Sequence, residues 1–142
     1  MREVIIWPLR VWLLVFSLGL AIVISIGVVL SDVLLLISLA ITFLGIVFFG
    51  YKSRLVIEVS RDQLVAGRAR IDRIYLGEIE VLDQKAMKFE MGAGIDPRAF
   101  LAIRFWVKAG VKVMLNDSRD PTPYWLISSR NPEAIKRALK KD

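Results

Sequence analysis

Residues 11–51 read VWLLVFSLGLAIVISIGVVLSDVLLLISLAITFLGIVFFGY, and this stretch decides how the rest of the chain is built. Val11 to Ser31 carries no charge, and after Asp32 neither does Val33 to Tyr51. Each run is close to the ~20 residues an α-helix needs to cross ~30 Å of hydrocarbon. A secretory signal has a shorter apolar core, roughly 7–15 residues, ending at a small-residue cleavage site. Here a second apolar run follows at once. The pattern predicts a two-helix transmembrane hairpin, with spans at about 11–31 and 33–51, inside an N-terminal segment 1–52. Ser31-Asp32 is the only polar break, so the helices are antiparallel neighbours, and Asp32 is placed to cap the second one. Ser17, Ala21 and Ser25 recur every fourth residue and predict a small-residue face for helix contact, and Gly19, Gly27, Gly45 and Gly50 add further sites of close approach.

Working outward, the charge map separates two unlike parts. The 142 residues are 56% hydrophobic and yet 24% charged, with a mean hydropathy of +0.55. Ordinary globular chains are roughly 45–50% apolar, and a bare membrane bundle would not hold so much charge. Residues 1–51 contain Arg2, Arg10, Glu3 and Asp32 and are neutral, so the net +6 lies wholly in residues 52–142. Arg2 and Arg10 precede the first span, Lys52, Arg54 and Arg61 follow the second, and the Ser31-Asp32 tip has no basic residue. The positive-inside rule then puts both termini in the cytoplasm and predicts a plasma (inner) membrane protein. Trp7, Trp12 and Tyr51 are suitable interfacial anchors. The absence of Cys excludes disulfides and thiolate metal sites. The absence of His removes the usual near-neutral acid/base.

Beyond the spans the period changes. Leu55 to Val59 is β-branched, Ser60-Arg61-Asp62 reads as a turn, and Gln63 to Ala66 as the returning strand. Arg68 to Tyr75 alternates polar with apolar and predicts a strand with one wet face. Ile79 to Leu82 is a shorter strand. Phe100 to Val107 is the strongest strand signal, with Val111 to Leu115 returning as its hairpin partner. Tyr124 to Ser128 is the last strand. Asn131-Pro132-Glu133 opens a helix with a capping amide, a proline at the first helical position and an acid at the positive end. Ala134, Ile135, Ala138 and Leu139 follow at helical spacing, while Lys136, Arg137, Lys140 and Lys141 take the remaining positions. The prediction for residues 53–142 is about seven antiparallel strands closed by a C-terminal helix, making the whole an α+β membrane protein.

That order, and the unit from Tyr124 to Glu133, resembles the small bacterial pleckstrin-homology (PH)-like domains. A second resemblance covers nearly the whole chain. Trp7-Pro8, Ala66-Gly67-Arg68-Ala69-Arg70-Ile71, Leu76-Gly77-Glu78-Ile79, Asp96-Pro97-Arg98-Ala99 and Asp120 to Arg130 resemble an actinobacterial membrane family, domain of unknown function 3093. The resemblance implies two spans, a soluble C-terminal domain, and no reaction, cofactor or catalytic residue.

Three groups are candidate sites. Arg68, Arg70 and Arg73, with Arg54, form a candidate basic surface facing the membrane or an anion. Each such residue near an anionic leaflet contributes about 1 kcal/mol. The plain alternative is a solvated face paired with Glu58, Asp62 or Asp72. In Glu90 to Arg98, Gly92 and Gly94 allow backbone amides to approach an anion and Arg98 supplies charge, with Asp96 before Pro97 as the ordinary turn alternative. It is neither a Walker A loop nor a dinucleotide fingerprint. Asn116 to Trp125 holds Asp117, Asp120, Tyr124 and Trp125. Internal Asp–Arg pairing is favoured over a metal, since an EF-hand ladder is lacking. Trp106 and Trp125 read as core anchors. Basic and acidic residues interleave without a recognition motif, so nucleic acid is not an expected partner. The expected function is a non-enzymatic, membrane-anchored accessory or interaction protein without cofactor. Its expected partners are inner-leaflet lipids and a protein or a second copy. The alternative is a sensor of an anionic headgroup or small anion at Gly92, Gly94 and Arg98.

Overall fold

The computed structural model describes residues 1–117 and 119–140. Ser118 and Lys141, quoted above in a loop and at the end of a helix, lie outside the described residues. The chain forms two compact units: residues 6–54, and residues 1–5 together with the chain from Leu55 onward.

The first unit is a helical hairpin. Helix α1 spans Leu9–Gly27 and α2 spans Asp32–Lys52. At 1.5 Å per residue they are about 28 and 31 Å long, and both are long and apolar enough to cross a membrane by length and composition. Ser31 rather than Asp32 occupies the N-cap of α2, and no side chain caps it; Asp32 is its first helical residue. There its carboxylate opposes the positive end of the helix. The small-residue face also lies elsewhere than expected. Ser17, Ala21 and Ser25 are exposed, and the two serine hydroxyls donate to Leu14 O and Ala21 O of their own helix. Close approach is made at Gly19, as expected of it, where an added Cβ would sit 2.9 Å from Ile46 and 3.1 Å from Thr42, but not at Gly45, which has nothing within 4 Å. The rings of Trp12, Phe16 and Phe43 continue the seam.

The second unit holds two four-stranded sheets. The first sheet is β1 (Arg2–Ile5), β2 (Leu55–Val59), β3 (Gln63–Ala66) and β4 (Ala69–Asp72), neighbours in that order and all antiparallel. A 3₁₀ turn, Arg73–Tyr75, crosses to the second sheet. That sheet contains β5 (Leu76–Leu82), β6 (Phe100–Ala102), β7 (Gly110–Leu115) and β8 (Tyr124–Ser128), in the order β5-β7-β8-β6. Helix α3 (Gln84–Glu90) lies between β5 and β6, and α4 (Pro132–Lys140) closes the chain.

The sheets share one core. Ile5, Leu55, Ile57 and Leu64 come from the first, Val111, Val113, Trp125 and Ile127 from the second, and Ile135 and Leu139 from α4. Leu82, Met87, Tyr124 and Leu126 make a smaller core on the other face of the second sheet, under α3. Every residue of β8 is therefore buried, and its side chains alternate between the two cores.

Five expectations are corrected. The strands among the described residues number eight, because Arg2–Ile5, expected to belong with the hairpin, pairs with Leu55–Glu58. They are not all antiparallel, because β6 runs parallel to β8. The unforeseen helix α3 carries the chain from β5, at one edge of this sheet, to β6 at the other, with Asp83 accepting from Ala86 N at 2.8 Å as its cap, and β7 with its flanking loops leads from β6 to β8. Phe100 to Val107 is not one strand with a hairpin partner at Val111. Its ladder stops at Ala102, the Arg104 amide donates to Ser128 Oγ at 2.9 Å, and β7 pairs with β5 and β8 instead. The strand expected from Arg68 to Tyr75 is confined to Ala69–Asp72 and then tightens into the 3₁₀ turn. The strand expected at Ile79 begins earlier, at Leu76, with a register shift between the two. The helix expected at Pro132 is present, and Asn131 Oδ1 accepts from Ala134 N at 3.3 Å.

Strand β1 is held by more than its ladder. Ile5 is fully buried. Glu3 accepts from Ser129 Oγ at 2.6 Å and from Arg130 N at 2.8 Å, fixing β1 to the β8–α4 joint. Ile5 and Leu55 are register partners, so a two-residue Asn-Gly turn can replace residues 6–54. That protein should fold as a soluble domain. Removing residues 1–5 from it forfeits the burial of Ile5, about 2–3 kcal/mol, and Glu3→Ala about 1.5–3 kcal/mol from a charged acceptor. Urea denaturation reads both losses; equal stability with and without residues 1–5 would show that β1 is dispensable.

Candidate functional site

The four basic candidates fall into two places. Ala66 and Ala69 are register partners, so Gly67 and Arg68 form a two-residue hairpin loop. Gly67 has φ +65°, the positive value that such a turn requires at its first central position. Its amide donates to Val56 O at 2.8 Å, and the site of its missing Cβ is 3.4 Å from a Leu55 methyl group. Arg68 therefore sits at the end of the first sheet where β2 begins, and Arg54 is the residue just before β2. Arg70 follows on the edge strand β4. Arg68 and Arg70 are both exposed, and neither has an ion-pair partner among the described residues.

Arg73 stands apart. Its amide donates to Asp62 O, and its guanidinium donates to Arg61 O and to Leu139 O. Leu139 belongs to the last turn of α4, where carbonyls lack helical partners. Arg73 thus closes the C-terminal end of α4 at the β2–β3 hairpin, the opposite end of the sheet from Arg68.

The loop from Glu90 to Arg98 is braced from within. Asp96 Oδ1 accepts from the Arg98 amide at 2.9 Å and from Nε at 3.1 Å, while Oδ2 accepts from Nη2 at 2.9 Å. The charge that sequence reasoning offered to an anion is engaged by Asp96. Gly94 packs on a ring, since an added Cβ would lie 2.7 Å from Phe89. Gly92 lies in the turn that follows α3, with its amide donating to Phe89 O at 3.0 Å. The Arg98 guanidinium, through its hydrogen bonds, holds the Asp96 carboxyl down at about 2.

The loop from Asn116 to Trp125 follows the same rule. Asp117 accepts from the Arg119 amide and, at 3.4 Å, from its Nε, while Arg119 Nη2 donates to Tyr75 Oη at 2.7 Å. Asp120 accepts from Thr122 N at 2.9 Å, and hydrogen bonding from the Thr122 side chain, then from this backbone amide, lowers the Asp120 carboxyl below its ordinary value. Trp125 is a core residue against Phe100, with ring centroids 4.7 Å apart.

Tyr124 joins the two loops. Its hydroxyl accepts from Asp96 N at 2.9 Å and donates to Gly94 O at 3.4 Å. Lys112 lies over its ring, 4.4 Å from the centroid, and forms a salt bridge with Glu90 at 2.9 Å. No sequence spacing links positions 90, 112 and 124; only the crossover of α3 over β7 and β8 brings them together. The geometry is that of two cross-braced loops whose arginines are paired with aspartates two residues away. Arg68 and Arg70, at one end of the first sheet, have no such partner among the described residues.

The family model described as "Protein of unknown function (DUF3093)" matches residues 1–139, and the chain belongs to that family. No curated protein and no solved structure matches it.

Asp96 gives a direct test of the bracing. Its carboxyl is depressed in the folded state, so the interaction is present at neutral pH and is lost as pH falls toward about 2. Arg98→Ala removes the side-chain bonds but keeps the backbone one, and should raise the Asp96 carboxyl, followed by NMR, toward the ordinary range near 4. An unchanged titration would mean that Arg98 does not hold it. Tyr124→Phe should cost about 1 kcal/mol and raise amide exchange at Asp96.

Proposed function

We propose that this DUF3093 protein is a membrane-anchored, non-enzymatic accessory protein that presents a basic, PH-like domain to the inner leaflet and to a protein partner. The reading rests on one observation above all: Ile5 and Leu55, the residues at which the chain leaves for and returns from the helices, are register partners in one sheet. Two spans that start and finish beside each other enter the bilayer from the same side. The basic residues around those ends make that side the cytoplasmic one. The outward Leu, Ile, Val and Phe of α1 and α2 suit lipid, since soluble proteins rarely leave so large an apolar surface uncovered.

The PH-like part of the reading is supported by two sheets around one core and a final strand leading into a closing helix. The parallel pair β6–β8 departs from an uninterrupted antiparallel meander. Arg68 and Arg70 suit the leaflet because they lie toward the end of the sheet from which both links emerge. A short connection between Lys52 and Leu55 keeps that end near the surface.

Two measurements test this. The chain lacks cysteine, so Ser31→Cys and Ser60→Cys each introduce one thiol. In intact cells a membrane-impermeant maleimide should label Ser31→Cys but reach Ser60→Cys only after lysis; the reverse pattern would overturn the orientation. The domain with residues 6–54 replaced by Asn-Gly should bind anionic vesicles in a salt-sensitive way. Its Arg68→Glu/Arg70→Glu variant should bind about thirty-fold more weakly, from about 1 kcal/mol for each basic residue lost. Equal binding at low salt would exclude the leaflet role of this end.

A further inference from the structure

The end of the first sheet remote from the links carries a cavity of about 920 Å³, bounded by the β2–β3 hairpin, the 3₁₀ turn and α4. A smaller depression of about 410 Å³ adjoins it across Arg73 and Leu139. Both volumes are of the order found for small-ligand sites, ≈ 300–1,000 Å³. β2 runs from Leu55 at the links to Val59 at the cavity, so at ~3.3 Å per residue the two ends are about 13 Å apart along the strand.

The chemistry of the lining is consistent. Arg61 and Arg73 supply positive charge to the larger cavity, and no acidic side chain lines it among the described residues. Ile74, 79% exposed, and Met1, 44% exposed, give it an apolar wall. Lys136 and Lys140 line the smaller depression, opposite a single acid, Glu78. The carbonyls at the end of α4 would by themselves repel an anion. Arg73 covers the Leu139 carbonyl, one of those at the helix end, and its positive charge offsets part of that repulsion. Of the neighbouring acids, Asp72 accepts from Gln63 at 2.7 Å, and Asp62 presents its backbone carbonyl to Arg73.

We propose that this cavity binds a soluble amphiphilic anion, a phosphate or carboxylate head on a short apolar body. Arg61 binds the head, Arg73 sets the charge of the shared wall, Ile74 meets the apolar body, and Lys140 adds positive charge from the adjoining depression. The site is separate from the loop of Gly92, Gly94 and Arg98, and it stands whether or not Arg68 and Arg70 engage lipid.

The test uses the full chain in nanodiscs of zwitterionic phosphatidylcholine, with hexyl phosphate and inorganic phosphate as probes and thermal unfolding as the readout. Hexyl phosphate should raise the melting temperature saturably and at lower concentration than inorganic phosphate. Arg61→Glu should weaken its apparent affinity by about ten-fold or more, the loss of a charged hydrogen bond. Ile74→Ser should narrow the difference between the two probes. Lys140→Glu is the second variant if Arg61→Glu unfolds. In a parallel arm the discs carry anionic phosphatidylglycerol and no probe, and there wild type and Arg61→Glu should be stabilised alike. The proposal fails if hexyl phosphate gives no shift or if both charge variants keep full affinity. It also fails if only the anionic discs show an Arg61-dependent effect, because the site would then take bilayer lipid.

Discussion

The structure depends on the antiparallel pairing of β1 with β2 across the whole helical hairpin. Ile5 meets Leu55 in register, so the first strand of the sheet is made before the helices and its neighbour after them. The first sheet is therefore incomplete until both helices exist. Closing a long loop adds entropy slowly, about 0.6 kcal/mol for each doubling of length. The helical insertion is thus thermodynamically tolerable, provided that β1 is gripped firmly. That grip comes from the buried Ile5 and from Glu3 on Ser129 and Arg130. Glu3 is also the only acid before the spans. A carboxylate that first looks like part of a charged flank is a tie between the N-terminus and the β8–α4 joint.

The same joint explains a run of small polar residues inside a buried strand end. Ser128 and Ser129 are both fully buried. A buried hydroxyl without a partner costs roughly 1–3 kcal/mol, and neither lacks one. Ser128 Oγ accepts from Arg104 N, ending the β6 segment. Ser129 Oγ donates to Glu3 and accepts from Asn131 N, setting the start of α4. Two adjacent serines thus fix three connections that no hydrophobic pattern encodes.

Legibility in the sequence tracked the range of the interaction responsible. The hairpin and α4 were readable because span length, helical spacing and an Asn-Pro-Glu start are local. So was the brace Asp117–Arg119, two residues apart, whereas for the equally local pair Asp96–Arg98 the sequence offers Asp96 only as a turn residue and Arg98 as charge for an anion. Strand β1 was not readable, because Arg2-Glu3-Val4-Ile5 is four residues with two charges and its partner lies beyond two helices. The parallel β6 was hidden by the continuing apolar run after Ala102, whose alternation breaks when Phe105 turns outward and Trp106 and Val107 turn in. The arginines looked like one cluster in sequence. The register of β2 against β3 sends Arg68 to one end of the sheet and Arg61 with Arg73 to the other.

That division alters what the net charge means. Pairing along loops consumes Arg98 and Arg119, and a salt bridge under α3 consumes Lys112. Arg68 and Arg70 stand at one end of the first sheet, and Arg61 and Arg73, with Lys136 and Lys140 of α4, at the other. A domain that used its charge only to lie on a bilayer would gather it at the end where its anchors emerge, since attraction decays within about 8 Å at physiological salt. The charge of Arg61 and Arg73 stands some 13 Å along the strand from that end. It is concentrated instead around a cavity with an apolar wall, where a small anion can reach it from solution.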